Sequence, residues 1–335
     1  MRIAVVGAGA IGAFVGACLA RGGTETHLIA RGDHLAAMRD RGVRVIGPAE
    51  TFTVPVDATD DPREIGEVDL VILALKAHAY AQAGDLLAPL LGDETAVVPA
   101  QNGIPWWYFH GHGGPHEGRR IESVDPGSAV SAVIAPERVI GCVVYPATAI
   151  VEPGVIRHVE GRRFSIGEPD GSASERSKAL SAAMSAGGLK CPIARDLRDE
   201  LWLKLLGNAT FNPLSALTGA TMGELCAFAP TRRVAEAAMH EVAAVGVALG
   251  RTLPVSIEQR VAGAAAVGDH RPSMLQDLDA GRPLELDALL AAVIELGELA
   301  DVPMPTVRTL FAATALLEQR RGGGAQGSMS PRRIA

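Results

Sequence analysis

The chain has 335 residues, of which 48% are apolar, and a formal net charge of −7. That length suggests two domains, and the apolar share supports a full core, which excludes wholesale disorder. The acidic balance, with arginines scattered apart from short pairs such as Arg119 and Arg120, excludes a broad nucleic-acid-binding face, because phosphate contacts need clustered cations.

In chain order, RIAVV (2–6) reads as a strand, GAGAIG as a turn, and the apolar-periodic stretch to Arg21 as a helix. THLIA (26–30), VRVIG (43–47) and FTVPV (52–56) read as short strands. VDLVILAL (68–75) is almost wholly apolar, as in a strand buried on both faces of a parallel sheet. A helix over 79–91 then leads to the strand TAVVPA (95–100). Alternating strands and helices imply right-handed βαβ units. Residues 105–138, rich in Gly, His and Pro and without a period, read as a loop or insertion. ERVIGCVVYPATAI resumes the strand pattern, and GVIRHVEGRRFSIGE reads as a hairpin turning at Glu160 and Gly161. From about 174 alanine-rich helical periodicity dominates, which divides the chain into 1–172, 173–321 and a flexible tail, 322–335.

Cys18, Cys142, Cys191 and Cys226 share no CxxC spacing, as expected of buried free thiols in a reducing compartment. No uninterrupted apolar run reaches ~18 residues, and no basic stretch precedes a cleavable apolar one, so a cytoplasmic protein that does not span a membrane is expected.

Gly7, Gly9 and Gly12 form G-x-G-x-x-G between a strand and a helix. The first glycine permits the tight turn, the second admits a pyrophosphate to the backbone, and the third lets helix and strand pack closely. The whole loop, with Ala8, Ala10 and Ile11, is the expected phosphate cradle of a dinucleotide. At the end of the second strand an acidic residue would favour NAD, but this chain has Arg31, which suits the 2′-phosphate of NADP. Asp33 is expected to cap the following helix. Lys76 and Asn102 each stand just past a buried strand, where ligands of such sheets sit. A solvated loop lysine and an Asn-Gly turn are the plainer readings.

In LWLKLLGNATFNPL (201–214), Lys204, Asn208 and Asn212 recur every four residues and would share one face of a helix. Spacing alone fits a cleft-facing stripe and a lysine snorkelling to solvent equally well. SMLQD repeats the spacing with Ser273 and Asp277, the latter read as structural. Glu285 is expected in the first turn of a helix begun by Pro283, a usual place for a dipole partner.

These stretches together resemble the ketopantoate reductase family, also called 2-dehydropantoate 2-reductases. The likeness runs through GAGAIG, ARG (30–32), LKA (75–77), QNG (101–103), RVIG (138–141) and GVIRH, then ELWLKLLGNATFNPLSAL and SMLQDLDAGRPLELD. The last two are the specific signatures. The resemblance implies an α/β fold: an N-terminal Rossmann-like doubly wound sheet followed by an all-helical domain like that of 6-phosphogluconate dehydrogenase, with the active site in the cleft. It implies NADPH-dependent reduction of a small 2-keto acid to a 2-hydroxy acid, ketopantoate to pantoate by default, and a homodimer. By motif match Lys204 is the proton donor, and Asn208, Asn212, Ser273 and Asn102 hold substrate. Glu285 and Asn102 lie by the nicotinamide and ribose, Arg31 holds the 2′-phosphate, and Ala147 lines the cofactor pocket.

The chemistry suits the residues. Hydride delivery to a ketone leaves charge on oxygen, and a lysine partly desolvated by Leu203, Leu205 and Leu206 can stabilise that charge and give up a proton. Two departures bear on substrate. Met222 stands before Gly-Glu-Leu where the family commonly has Asn. Trp106, Trp107, Tyr108 and Phe109, four of thirteen aromatics, either form a lid or apolar wall for a bulkier keto acid or pack the insertion onto the sheet. His110, His112 and His116 have no evident carboxylate or cysteine partner, so no metal is expected. A paralogue acting on a larger 2-keto or 2-hydroxy acid and a non-catalytic NADP sensor are the alternatives to ketopantoate reduction.

Overall fold

The computed structural model describes residues 1–322 and divides into two compact units, one spanning Met1–Glu200 and the other beginning at Leu201. The expected flexible tail lies outside the described residues, except for Gly322 at the end of the last helix.

The first unit opens with β1 (Arg2–Val6), α1 (Ala10–Arg21), β2 (Glu25–Ile29) and α2 (Gly32–Arg41). It continues through β3 (Val43–Ile46), β4 (Thr51–Val54), β5 (Asp57–Thr59), β6 (Val68–Leu73), the short α3 (Gly84–Leu87) and β7 (Leu91–Pro99). Five of these strands form a parallel sheet in the order β5-β2-β1-β6-β7, the Rossmann-like arrangement. The helix expected over 79–91 is broken into 3₁₀ turns around α3, because Gly84 and Pro89 interrupt it.

β8 (Gly141–Val144), β9 (Ala147–Glu152), β10 (Val155–Glu160), β11 (Phe164–Gly167) and α4 (Glu175–Ala186) complete the unit. The hairpin expected at Glu160 and Gly161 does not form. β10 pairs with β9 and β3 in a sheet ordered β4-β3-β10-β9, while β11 pairs with β8. The tight turn lies instead at Pro153 and Gly154, where Gly154 takes φ +79°.

α1 is apolar on every side, and Gly12, Ala13, Phe14, Val15, Gly16, Ala17, Cys18 and Leu19 are all buried. A helix of that kind must be covered all round, and α1 packs on both β2 and the β9–β10 sheet. Each large side chain so buried contributes about 1.5–3 kcal/mol. α4 joins the same core through Leu180 and Met184. The compact unit therefore reaches Glu200, beyond the change of composition near residue 173.

α5 (Leu197–Asn208) carries the chain onward to α6 (Phe211–Thr218), α7 (Met222–Ala227), α8 (Ala229–Ala248), α9 (Ile257–Ala266) and α10 (Ser273–Asp279). A π-helical turn over Asp287–Ala291 runs into α11 (Ala292–Leu299), and α12 (Pro305–Gly322) follows. α8 buries Ala235, Ala238, Met239, Val242, Val245 and Gly246, one stripe at helical spacing. Trp202 on α5 is fully buried against Gly246, where a Cβ would stand 3.1 Å from the indole.

Candidate active site

The glycine loop connects β1 to α1. Gly7 takes φ +89°, and a Cβ there would meet Leu75 at 2.6 Å. A Cβ on Gly12 would lie 2.2 Å from the Gly7 carbonyl oxygen, so loop and helix fit only without a side chain. At Gly9 nothing lies within 4 Å of the Cβ position. Gly9 is the N-cap of α1, whose first turn holds no acidic residue. The cradle therefore has open space before a helix N-terminus with unspent N–H groups, the arrangement that receives a pyrophosphate.

Arg31 occupies the N-cap position of α2 just beyond β2, makes no side-chain capping bond and is exposed. Among the described residues no carboxylate forms an ion pair with it. Asp33 lies inside the first turn of α2 and does not cap it as expected, because the helix already starts at Gly32. His34, one turn beyond Arg31, accepts the Gly154 N–H on Nδ1 at 2.9 Å, and burial pushes its imidazole pKa down.

Lys76 and Asn102 are both half-buried. Each stands three residues past the registered pair Leu73 and Pro99 of the adjacent parallel strands β6 and β7. Their matching placement thus survives in the fold. Ala147 opens β9, on the sheet that packs against α1. Two buried polar atoms without hydrogen-bond partners lie in sequence beside these positions: Gln101 Oε1 next to Asn102, and Thr148 Oγ1 next to Ala147. The open cradle and these unsatisfied groups fit a bound dinucleotide.

In the second unit Lys204 and Asn208 share the half-buried side of α5, with Leu205 and Leu206 buried behind them. Asn212 does not continue their stripe on one helix. Pro213 cannot donate to the Ala209 carbonyl and its ring crowds it, so α5 ends at Asn208 and α6 starts at Phe211. The Thr210 hydroxyl bridges the break by donating to the Leu206 carbonyl at 2.6 Å. Asn212 is buried, and its Nδ2 donates to Ser273 Oγ at 3.3 Å, joining α6 to α10. Two of the expected substrate ligands are thus neighbours. Asp277 is buried and takes Arg282 Nε at 2.8 Å, a structural ion pair.

Glu285 is buried and immediately precedes the helical segment rather than lying in its first turn. After Leu286, residues Asp287–Ala291 form the π turn, a feature frequent at functional sites. Met222, half-buried, is the first residue of α7, behind a Thr221–Glu224 capping box.

Trp106, Trp107, Tyr108 and Phe109 are at most 5% exposed, so they pack the insertion rather than form a lid. Trp106 Nε1 donates to the Ile134 carbonyl at 3.2 Å, and Phe109 packs on His112 and His116. Glu117, close in sequence to the histidines, instead accepts the N–H groups of Gly113 and Gly111, which hold its carboxyl below the usual range. All four thiols are buried, and burial pushes those of Cys18 and Cys191 up to about 12, which leaves them unreactive. Among the described residues no helix is long and apolar enough to cross a membrane.

A glycine cradle opening a parallel Rossmann-like sheet, followed by a helical unit with a half-buried lysine, defines a two-unit dinucleotide-binding oxidoreductase fold. The model of the family described as ketopantoate reductase PanE/ApbA matches residues 3–171, and that of its C-terminal part matches 196–318. The chain therefore belongs to the ketopantoate reductase family, a family of oxidoreductases. It is 50% identical over 323 residues to the 2-dehydropantoate 2-reductase of Mesorhizobium japonicum, covering 96% of this chain and 99% of that one. It is 32% identical to the enzyme of that name from Halobacterium salinarum, covering 96% and 100%. The crystal structure of 2-dehydropantoate 2-reductase from Geobacter metallireducens superposes with a TM-score of 0.83 at 30% identity, covering 95% of this chain and all of that one. D-mandelate dehydrogenase, solved with NADH and anilino(oxo)acetate, shares the fold at 20% identity and a TM-score of 0.79, covering 96% and 99%.

Proposed function

We propose that this protein reduces 2-dehydropantoate to pantoate with NADPH, with Lys204 as the proton donor, in the reducing cytoplasm to which its buried free thiols are suited. One observation carries the reading: half-identity to the Mesorhizobium japonicum 2-dehydropantoate 2-reductase over nearly the whole of both chains. Residues 7–12, Arg31, Lys76, Asn102, Ala147 and Glu285 would hold the coenzyme, which supplies a hydride to the carbonyl carbon. The C=O electron pair moves onto oxygen, and the Lys204 ammonium stabilises that charge and gives it a proton. Asn208, Asn212, Ser273 and Asn102 orient the keto acid by neutral hydrogen bonds.

Arg31→Ala should raise the Kd of NADPH about 10–100-fold by removing charge-assisted bonds to the 2′-phosphate, while NADH binding changes little. Fluorescence titration of both coenzymes reads this out, and equal losses would overturn the NADPH assignment.

Met222 favours a second reading, since an apolar residue at the head of α7 suits a substrate with an apolar branch in place of a polar contact. A panel of 2-keto acids assayed with NADPH decides between them. A kcat/KM for ketopantoate orders of magnitude above the rest supports the first reading, and a preference for a bulkier keto acid supports the second.

A further inference from the structure

The first turn of α5 is held at two points that the reaction itself does not call for. Arg198 is only 6% exposed, yet it carries a permanent charge. Its Nε donates to the Tyr108 carbonyl at 2.8 Å, its Nη1 to that of Pro169 at 2.6 Å, and its Nη2 to that of His110 at 2.7 Å. The guanidinium also lies over the rings of Trp107 and Tyr108, at 5.8 and 5.7 Å from their centroids. Two residues on, Glu200 takes Arg163 Nη2 at 2.5 Å and the Tyr145 hydroxyl at 3.2 Å. Asp196 caps the same turn by accepting the Arg198 N–H at 3.1 Å.

Burying a guanidinium is costly unless every donor direction is answered, so such a group is kept only where its planar fork is needed. Here the fork gathers three carbonyls of irregular chain onto one helical turn. Lys204 lies six residues further along the same helix, roughly 9 Å by the helical rise. A hydrogen-bonded helix transmits the rotation and depth of its first turn to its later ones. We propose that Arg198 is a positioning residue for the reduction: it sets where the Lys204 ammonium stands along α5, and touches neither substrate nor coenzyme. This rests on the assignment of Lys204 as proton donor.

The test compares Arg198→Lys and Arg198→Met with Leu180→Ala, a core truncation in α4 that lowers stability elsewhere, and with Lys204→Ala. Thermal midpoint, NADPH Kd, and kcat and KM for ketopantoate are measured on each. Misplacing a catalytic group by 1 Å can cost about 100-fold, so kcat should fall at least about tenfold in both Arg198 variants. NADPH Kd should stay within about threefold, and Leu180→Ala should keep its kcat despite a lower midpoint. If Arg198→Met does not fold, Arg198→Lys, which keeps the charge but loses the fork, carries the test alone. A kcat within twofold of the unmodified protein in Arg198→Lys, or a kcat in Leu180→Ala that falls as far, overturns the proposal while leaving the function standing. Substantial turnover by Lys204→Ala overturns the assignment of Lys204 as proton donor and the proposal with it, whereas no ketopantoate turnover by the unmodified protein overturns the function.

Discussion

Lys204→Ala is expected to lose at least about 100-fold in kcat while binding NADPH almost as well as the unmodified protein. The alkoxide formed by hydride delivery needs a nearby cation and a proton, and an alanine supplies neither. Half-buried on α5, with Leu205 and Leu206 buried behind it, the lysine would act partly withdrawn from water, where a charge interacts more strongly with a developing negative charge. The glycine cradle lies elsewhere in the chain and should be unaffected. Stopped-flow and steady-state assays with ketopantoate, paired with coenzyme titration, separate the two effects. Near-normal turnover would rule out Lys204 as the acid, and a parallel collapse of NADPH binding would indicate structural damage instead.

The second large effect is expected at Gly12→Ala. Its new methyl would stand 2.2 Å from the Gly7 carbonyl oxygen, about 1 Å inside any tolerable carbon–oxygen approach. Helix and loop must then separate, which costs about 1–3 kcal/mol of stability and swings the N–H groups of α1 off the pyrophosphate. NADPH affinity should drop by more than about tenfold, with a lower thermal midpoint. Gly9→Ala is the informative partner, because nothing lies within 4 Å of its Cβ position. Its midpoint should hold within a degree or two, yet its methyl would occupy the space the phosphate needs, so affinity should fall there too. Normal NADPH affinity in Gly9→Ala would show that the coenzyme does not approach this backbone.

Much of this was legible in the residues because the physics was local. GAGAIG encodes its own turn, and VDLVILAL could be buried only on both faces. What was not legible depended on partners distant in sequence. β10 and β11 look like one hairpin, yet each finds a better partner elsewhere, β10 in β9 and β3 and β11 in β8. The alanine-rich α4 reads as part of the helical unit, but its Leu180 and Met184 fill the core around α1. Pro213 marks a helix end in sequence, but not that Asn212 would turn to Ser273. Arg198 looked like one more scattered arginine, since its acceptors are backbone carbonyls that no sequence pattern reports.

The π turn at Asp287–Ala291 has a consequence for how this chain tolerates change in length. Such a turn is an α-helix with one residue too many, so removing a residue there restores ordinary winding instead of breaking it. α11 would persist in its place, while the residues just before the turn, Glu285 included, would be turned by about 100° around the helix axis. At this one place a codon deletion would act as a change of aim rather than a loss of fold.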